Sequence, residues 1–203
     1  MSDAKRPAAA HYPQVEVRAR AELRAWLEAH HGSSAGIWVV TFKKHAPDVH
    51  VSAVDVCEEA LCFGWIDSLP RALDADRSML LITPRRPKSA WSRVNKDRVE
   101  RLLAEGAMAP AGLAVVAAAK DSGTWSALDA VEALELPADL VERFDAAPAA
   151  ARANFEAFPR SAKRGILEWL QNAKRAETRA KRIDEVVRLA GEGQRALQWP
   201  PRG

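Results

Sequence analysis

The residue types best suited to chemistry gather between Cys57 and Asn95. Two carboxylates, Glu58 and Asp67, precede a basic run that starts at Arg85. Paired carboxylates support general acid and base catalysis when burial raises the pKa of one of them, and Arg85 would add a positive charge beside them. An enzyme of unknown reaction with a carboxylate/arginine site is therefore one interpretation of this stretch.

The motifs that would name a reaction are missing from the sequence. It has no Ser/His/Asp set, no His/Cys spacing typical of a metal site, and no Gly-rich phosphate loop of the form G-x-x-x-x-G-K-[S/T]. We therefore predict no catalytic residue, no metal ligand and no cofactor, and we expect a protein that is not an enzyme.

Asp67 lies among apolar residues on a strand predicted from Phe63 to Pro70, and a turn leads to a returning strand from Met79 to Thr83. Burying an unpaired carboxylate costs free energy, so Asp67 must reach solvent or find a cation. Because Arg85 follows the returning strand, we hypothesise that its guanidinium pairs with Asp67.

The segment from Arg85 to Asn95 combines three features of an anion site. It is rich in cations, Ser89, Ser92 or Asn95 can begin a helix whose first N–H groups are free, and Trp91 offers a ring for stacking. We predict the ligand-binding residues Glu58, Asp67, Arg85, Trp91, Ser92 and Asn95. The alternative is structural: a capped helix, a packed tryptophan and a solvated basic loop.

A second group of cations lies near the C-terminus. Arg175, Arg179 and Arg182 follow the i, i+4, i+7 spacing of one helix face. Such a stripe is usually a solvated surface, but it could also hold a phosphate backbone or a protein partner. Because the middle of the chain is acidic and the net charge is only +3, we disfavour nucleic acid as the partner.

The hydrophobic periodicity predicts an α+β protein. We expect a small, mainly antiparallel sheet with covering helices, followed by an all-helical C-terminal half. The predicted divisions are a flexible tail at residues 1–12, an α+β subdomain with a hairpin at 13–92, and a helical subdomain at 93–203.

One helix start is predicted in more detail. Ser52 and Asp55 form a capping box for a helix that runs through Leu61. Spacing places Ala53, Val54, Cys57, Ala60 and Leu61 on its buried side, with Glu58 on the other flank.

Cysteine usage and the N-terminal sequence predict the compartment. Cys57 and Cys62 lie five residues apart on a predicted helix, where they cannot bridge each other, and this favours a reducing environment. The N-terminus lacks the apolar core of a signal peptide, and no run of eighteen apolar residues follows. We expect a cytoplasmic protein without membrane insertion, and the sequence does not set its oligomeric state.

Several motifs, taken as an ordered set, resemble a known family. They are Glu58-Glu-Ala-Leu-Cys-Phe-Gly-Trp-Ile-Asp67, Thr83-Pro-Arg-Arg86, Ser89-x-Trp91-Ser92-x-x-Asn95, Gly123-x-Trp125 and Ala173-Lys-Arg-x-Glu-Thr-Arg179-x-x-Arg182-Ile183. Between Val15 and Gly193 the chain resembles the bacterial YdeI/OmpD-associated family, whose members are labelled bacteriocin-protection proteins. The resemblance implies a role in tolerance of antimicrobial peptides or envelope stress, and it brings no catalytic residues with it.

We therefore expect a non-enzymatic bacterial stress or bacteriocin-protection protein. Its segment from Arg85 to Asn95 would bind an anionic small molecule or a protein partner. Two alternatives stay open: an enzyme using Asp67, Glu58 and Arg85, and weak nucleic-acid binding through the C-terminal basic helix.

Overall fold

The computed structural model describes residues 11–197, which belong to two compact units, one ending at Ser126 and the other starting at Ala127. Residues 1–10 of the predicted tail lie outside this range. The division predicted after residue 92 would assign two helices to the C-terminal half, whereas the structure groups them with the sheet because they pack around a helix that covers it.

The first unit is an α+β layer structure. Its elements are β1 (Gln14–Glu16), α1 (Arg20–His30), β2 (Ile37–Phe42), a 3-10 turn (Pro47–Val49), α2 (Ala53–Cys62), β3 (Trp65–Ala72), β4 (Arg77–Pro84), α3 (Arg93–Ala104) and α4 (Pro110–Asp121). The strand order is β1-β2-β4-β3, with β1 parallel to β2 and the other pairs antiparallel. The predicted fold class, a mainly antiparallel sheet before a helical half, is confirmed.

The core of the first unit lies between one face of the sheet and the helices. Ile37 and Val39 of β2 and Ile82 of β4 are fully buried there, against Leu23 and Leu27 of α1. These positions alternate along the strands and recur at i, i+4 along the helix, as burial of one face of each element requires. The same face carries the side chains that matter for the site.

Helix α2 begins as predicted but is buried differently. The capping box forms, since Ser52 Oγ accepts from the Asp55 amide and the Asp55 carboxylate accepts from the Ser52 amide. The predicted buried side is wrong at Ala53 and Val54, which are exposed, and the helix is buried all round from Val56 to Cys62. The cause is the number of neighbours, because α1, α3, α4, β3 and β4 all contact this helix.

The link from α2 to the hairpin is made by Gly64. Its φ of +73° is a conformation that L side chains rarely adopt, and a Cβ there would lie 2.6 Å from Val115 Cγ2. Strand β3 then pairs with β4 on both sides of an irregularity between Asp67 and Pro70. Proline has no N–H for a ladder hydrogen bond, which is consistent with its place at a bulge of an edge strand.

The opposite face of the sheet carries a smaller cluster. Tyr12, Trp38 and Leu81 are buried together, and the Arg71 guanidinium lies 4.9 Å from the Trp38 ring centroid. Tyr12 is thus part of the packed structure, although the sequence predicted a flexible tail through residue 12.

The second unit is helical throughout its described residues. Its elements are α5 (Asp129–Ala133), α6 (Ala138–Asp145), α7 (Ala149–Ala157), α8 (Arg160–Gln171) and α9 (Ala176–Gly191). Helix α9 contacts α6, α7 and α8, and its buried residues Ile183, Val186 and Val187 face that packing.

Two helical glycines give a matched test of the packing. A Cβ on Gly112 of α4 would lie 2.2 Å from the carbonyl oxygen of Cys62, whereas a Cβ on Gly165 of α8 would meet no atom within 4 Å. Gly112→Ala should therefore lower the free energy of unfolding by about 1–3 kcal/mol, the usual cost of overpacking. Gly165→Ala should raise it by up to about 1 kcal/mol, because alanine favours the helix.

Urea denaturation followed by circular dichroism measures both changes. A stable Gly112→Ala variant would contradict the close approach of α4 to the end of α2.

Candidate functional site

Arg85 is held in place by the hairpin that precedes it. Its amide donates to the Gly64 carbonyl at 3.0 Å, and its guanidinium carbon lies 3.7 Å from the Trp91 ring centroid. Nη2 donates to the Ala90 carbonyl at 2.5 Å. Nε is buried and has no hydrogen-bond partner among residues 11–197.

The charge of Arg85 is poorly compensated. Within the described part of the chain its guanidinium forms no ion pair, although the negative charge of Asp67 acts on it. Burial lowers the pKa of Arg85 to about 10, more than Asp67 raises it. Arg85 is still a cation at neutral pH, but its surroundings stabilise the positive charge less well than water would.

Asp67 faces the helices, on the β3 position paired with Ile82. Burial raises the pKa of the Cys57 thiol to about 12, and the nearby Asp67 carboxylate adds to this rise. The predicted pairing with Arg85 is therefore an attraction through space rather than an ion pair. A thiol in this state is not a nucleophile at neutral pH.

Ser92 and Asn95 open helix α3. Ser92 is the N-cap, and its Oγ accepts from the Asn95 amide at 3.4 Å. The Asn95 side-chain oxygen accepts from Arg98 at 3.1 Å. The positive charge of Arg98 in turn acts on Cys57 and partly opposes the rise in the pKa of that thiol. Asn95 and Arg98 thus face the region that holds Asp67.

Trp91 is buried, which corrects its predicted role. Only 1% of its surface is exposed, so it has no free face on which a ligand could stack. It packs instead against Trp125, with ring centroids 4.9 Å apart, while its amide donates to the Thr124 carbonyl. Lys120 lies 5.2 Å from the Trp125 ring, which is partly exposed.

Trp125 was not predicted as a site residue. The Gly123-x-Trp125 motif was the available signal, but it gave no hint of contact with Trp91. The Arg85 cluster, by which we mean Arg85, Trp91, Trp125, Lys120 and the start of α3, lies entirely within the first unit.

Glu58 belongs to a different cluster. It forms ion pairs with Arg20, at 3.0 Å, and with Arg101. Its neighbour Glu59 pairs with Arg20 at 2.6 Å and with Arg24 at 3.1 Å.

Both carboxylates are buried, at 5% and 3% exposure, and they are held by three guanidiniums from α1 and α3. Such a network fixes helices, and it leaves Glu58 no freedom to act beside Asp67 as an acid or base. Sequence reasoning missed Glu59, Arg20, Arg24 and Arg101, because nothing local links positions so far apart.

Two of the three C-terminal arginines are engaged within the second unit. Arg179 donates to both Asp139 oxygens, one of them at 2.8 Å, and to the Leu170 carbonyl at 3.1 Å. Arg182 donates to the Trp169 carbonyl and lies 4.7 Å from the Trp169 ring. They satisfy carbonyls at the end of α8, as basic side chains do at helix C-termini. Only Arg175 of the predicted stripe is exposed.

The described residues offer no obvious metal or membrane chemistry. From residue 11 to residue 197, no group of three His, Cys, Asp or Glu side chains is arranged to hold a metal ion. Within the same range, no helix has both the length and the apolar character needed to cross a membrane.

The Asp139–Arg179 pair predicts a dependence of stability on pH. The Arg179 guanidinium lowers the pKa of Asp139, so the stabilisation is present above the ordinary carboxyl pKa and is lost as the pH falls through the lowered value. Asp139→Asn should cost about 0.5–1 kcal/mol at neutral pH, as partly exposed pairs do. Below pH 4 the difference from the wild type should shrink towards zero.

Urea denaturation at a series of pH values measures this difference. Asp184→Asn, which removes the exposed partner of Arg143, is the control and should change little at any pH. A cost for Asp139→Asn that is the same at acid and neutral pH would show that the ion pair is not its cause.

Comparison with known proteins divides the chain in two. Residues 15–115 match a family model described as "Domain of unknown function (DUF8412)", and residues 133–193 match one described as "Bacteriocin-protection, YdeI or OmpD-Associated". No curated protein and no solved structure matches the chain. The family predicted from the motifs is confirmed for the C-terminal part, since residues 133–193 match the model of the YdeI/OmpD-associated family.

Proposed function

We propose that this is a non-enzymatic, cytoplasmic bacterial protein that protects the cell against stress or bacteriocins. It binds an anionic ligand or partner through the segment Arg85–Asn95. The family of residues 133–193 supports the protective role. The positive charge of Arg85, which its surroundings compensate poorly, supports the binding of an anion. This is the observation on which the proposal rests.

The physical argument starts from the cost of burying charge. A guanidinium that is taken out of water needs a counter-charge or hydrogen-bond acceptors in return. Arg85 has one carbonyl acceptor, an aromatic face and a distant carboxylate, and its Nε has nothing. A bound anion would provide the missing negative charge, and its binding would be stronger because the site is partly desolvated.

The surroundings of Arg85 favour the same kind of ligand. Arg86, Lys88 and Arg93 are exposed on the same segment, and exposed cations increase the rate at which anions arrive. The amides of Arg93 and Val94, at the start of α3, form no hydrogen bond within the described residues. Free amides at a helix start are good donors to an anion.

The alternatives lack comparable support. Glu58 is held by Arg20 and Arg101, so the carboxylate pair needed for an enzyme is not assembled. Arg179 and Arg182 are occupied by contacts inside the second unit, so the predicted stripe does not present three available cations.

Thermal denaturation with added anions tests the binding. Sulfate, inorganic pyrophosphate and ATP are the probes, at matched ionic strength. A ligand at a hundred times its dissociation constant stabilises by about 2.7 kcal/mol, which should raise the melting temperature by roughly 5–10 °C. Arg85→Gln should abolish this increase, and Arg86→Gln, which removes an exposed cation from the same loop, should keep most of it.

Two results would contradict the proposal. One is the absence of stabilisation of the wild type by any of the anions at millimolar concentration. The other is an equal increase in the Arg85→Gln variant, which would place the anion elsewhere.

A survival assay tests the protective role. Bacteria expressing the wild type should survive a bacteriocin challenge better than cells with an empty vector. Arg85→Gln should lose this advantage and Arg86→Gln should retain it, at protein levels matched by immunoblot. Protection that is unaffected by Arg85→Gln would show that the role of the family does not depend on this loop.

A further inference from the structure

A cavity of about 490 Å³ lies in the first unit, well away from Arg85. Its floor is the helix-facing side of the sheet where the hairpin ends, formed by Thr41, Pro70, Ala72, Ser78 and Leu80. Met79 also lines it and precedes Arg85 by six residues along an extended chain, a separation of roughly 20 Å. The cavity is therefore distinct from the Arg85 cluster.

The cavity exists because α2 covers only part of the sheet. The helix starts at Ala53, so the strand ends beyond it have no helix above them. Val51, Ala53 and Val56 form one wall, and the loop from Lys43 to His50 closes the other side. Its volume is in the range of sites for small organic molecules.

The charged groups that line the cavity all have the same sign. They are Lys43, Lys44 and Arg71, although the Arg71 guanidinium lies against Trp38 on the opposite face of the sheet, and no Asp or Glu of the described chain lines the cavity. Lys43 is held by the carbonyls of Asp74 and Ala75, and Arg71 is held by Trp38. Lys44 is exposed and forms no hydrogen bond or ion pair among the described residues.

The remaining polar atoms could complete a site for an oxygen anion. His50 Nδ1 lies 2.6 Å from the Phe42 carbonyl, which can only accept, so Nδ1 carries a proton and Nε2 of the neutral ring is an acceptor, not a donor to a carboxylate. Thr41 is only 8% exposed, and its hydroxyl forms no hydrogen bond in the described structure, yet the oxygen is not sealed off from the cavity. A ligand oxygen in the cavity could therefore accept a hydrogen bond from it.

We propose that this cavity binds a small carboxylate with an apolar body, such as a medium-chain alkyl carboxylate. The body lies on Val51, Val56 and Leu80, and the carboxylate lies within reach of Lys44 and the Thr41 hydroxyl. An inorganic anion does not fit this chemistry, because the floor and one wall are largely apolar.

Isothermal titration calorimetry with octanoate tests the proposal, with octanol as the uncharged probe. Octanoate should bind the wild type saturably, and octanol should bind at least ten times more weakly. Lys44→Glu should weaken octanoate binding about tenfold. Ala53→Trp, which adds a large side chain at an exposed position in the wall, should abolish it while the melting temperature stays close to that of the wild type.

Lys88→Glu and Arg85→Gln are the controls, because both lie at the other site. Neither should change octanoate binding, so failure of the cavity proposal can be separated from failure of the anion site. The proposal is wrong if octanoate does not bind, or if octanol binds equally well. It is also wrong if Ala53→Trp and Lys44→Glu leave octanoate binding unchanged, or if only Arg85→Gln removes it.

Discussion

The first unit depends on two carboxylates that are buried side by side on α2. Glu58 and Glu59 can lie in the interior only because Arg20, Arg24 and Arg101 neutralise them. Two of these arginines come from α1 and one from α3, so the network fixes both helices against α2. Removing one arginine should cost less than the ~3–5 kcal/mol typical of a fully buried pair, because the arginine side chains are 34–46% exposed and each glutamate keeps a second arginine. The network is thus a structural constraint rather than a reactive site.

Arg85 differs from the arginines of this network because no carboxylate among the described residues forms an ion pair with it. The interior carboxylates of α2 are matched by more than enough cations, and the charge of Asp67 acts on the Cys57 thiol as well as on Arg85. Arg85 is held between the hairpin and α3 with an aromatic ring beneath it and no carboxylate in contact. The stacking suits a planar guanidinium, and a lysine ammonium would lose both the stacking and the carbonyl contact. The site therefore combines a fixed cation with an unsatisfied donor.

Much of the fold could be predicted because its signals are local. The capping box at Ser52 and Asp55, the buried strand around Val39 and the hairpin are each specified by residues close in sequence. The all-round burial of α2 could not be predicted, since it depends on five neighbours that are distant in the chain. Helical periodicity predicted a single buried side for α2, which is the pattern of a helix at the protein surface.

The candidate site was predicted less completely, for the same reason. Composition correctly drew attention to Arg85, but it could not show that Trp91 is covered by Arg85 and Trp125. It also grouped Glu58 with Asp67, although the two side chains have different partners. For Arg179 and Arg182, spacing gave the correct helix face, but only the packing of α8 shows that this face is occupied.

The two family matches cover different residues and therefore support different parts of the proposed function. The bacteriocin-protection description applies to the family model matched by residues 133–193, whereas Arg85, Trp91 and the start of α3 lie in residues 15–115, which match a domain of unknown function, and Lys120 and Trp125 lie in neither match. The proposal of a protective role rests on the family match of the C-terminal unit, whereas the proposal of anion binding rests on the charge balance of the N-terminal unit alone. Loss of protection in an Arg85 variant would therefore show that the two units act together, because neither the family nor the charge balance implies it separately.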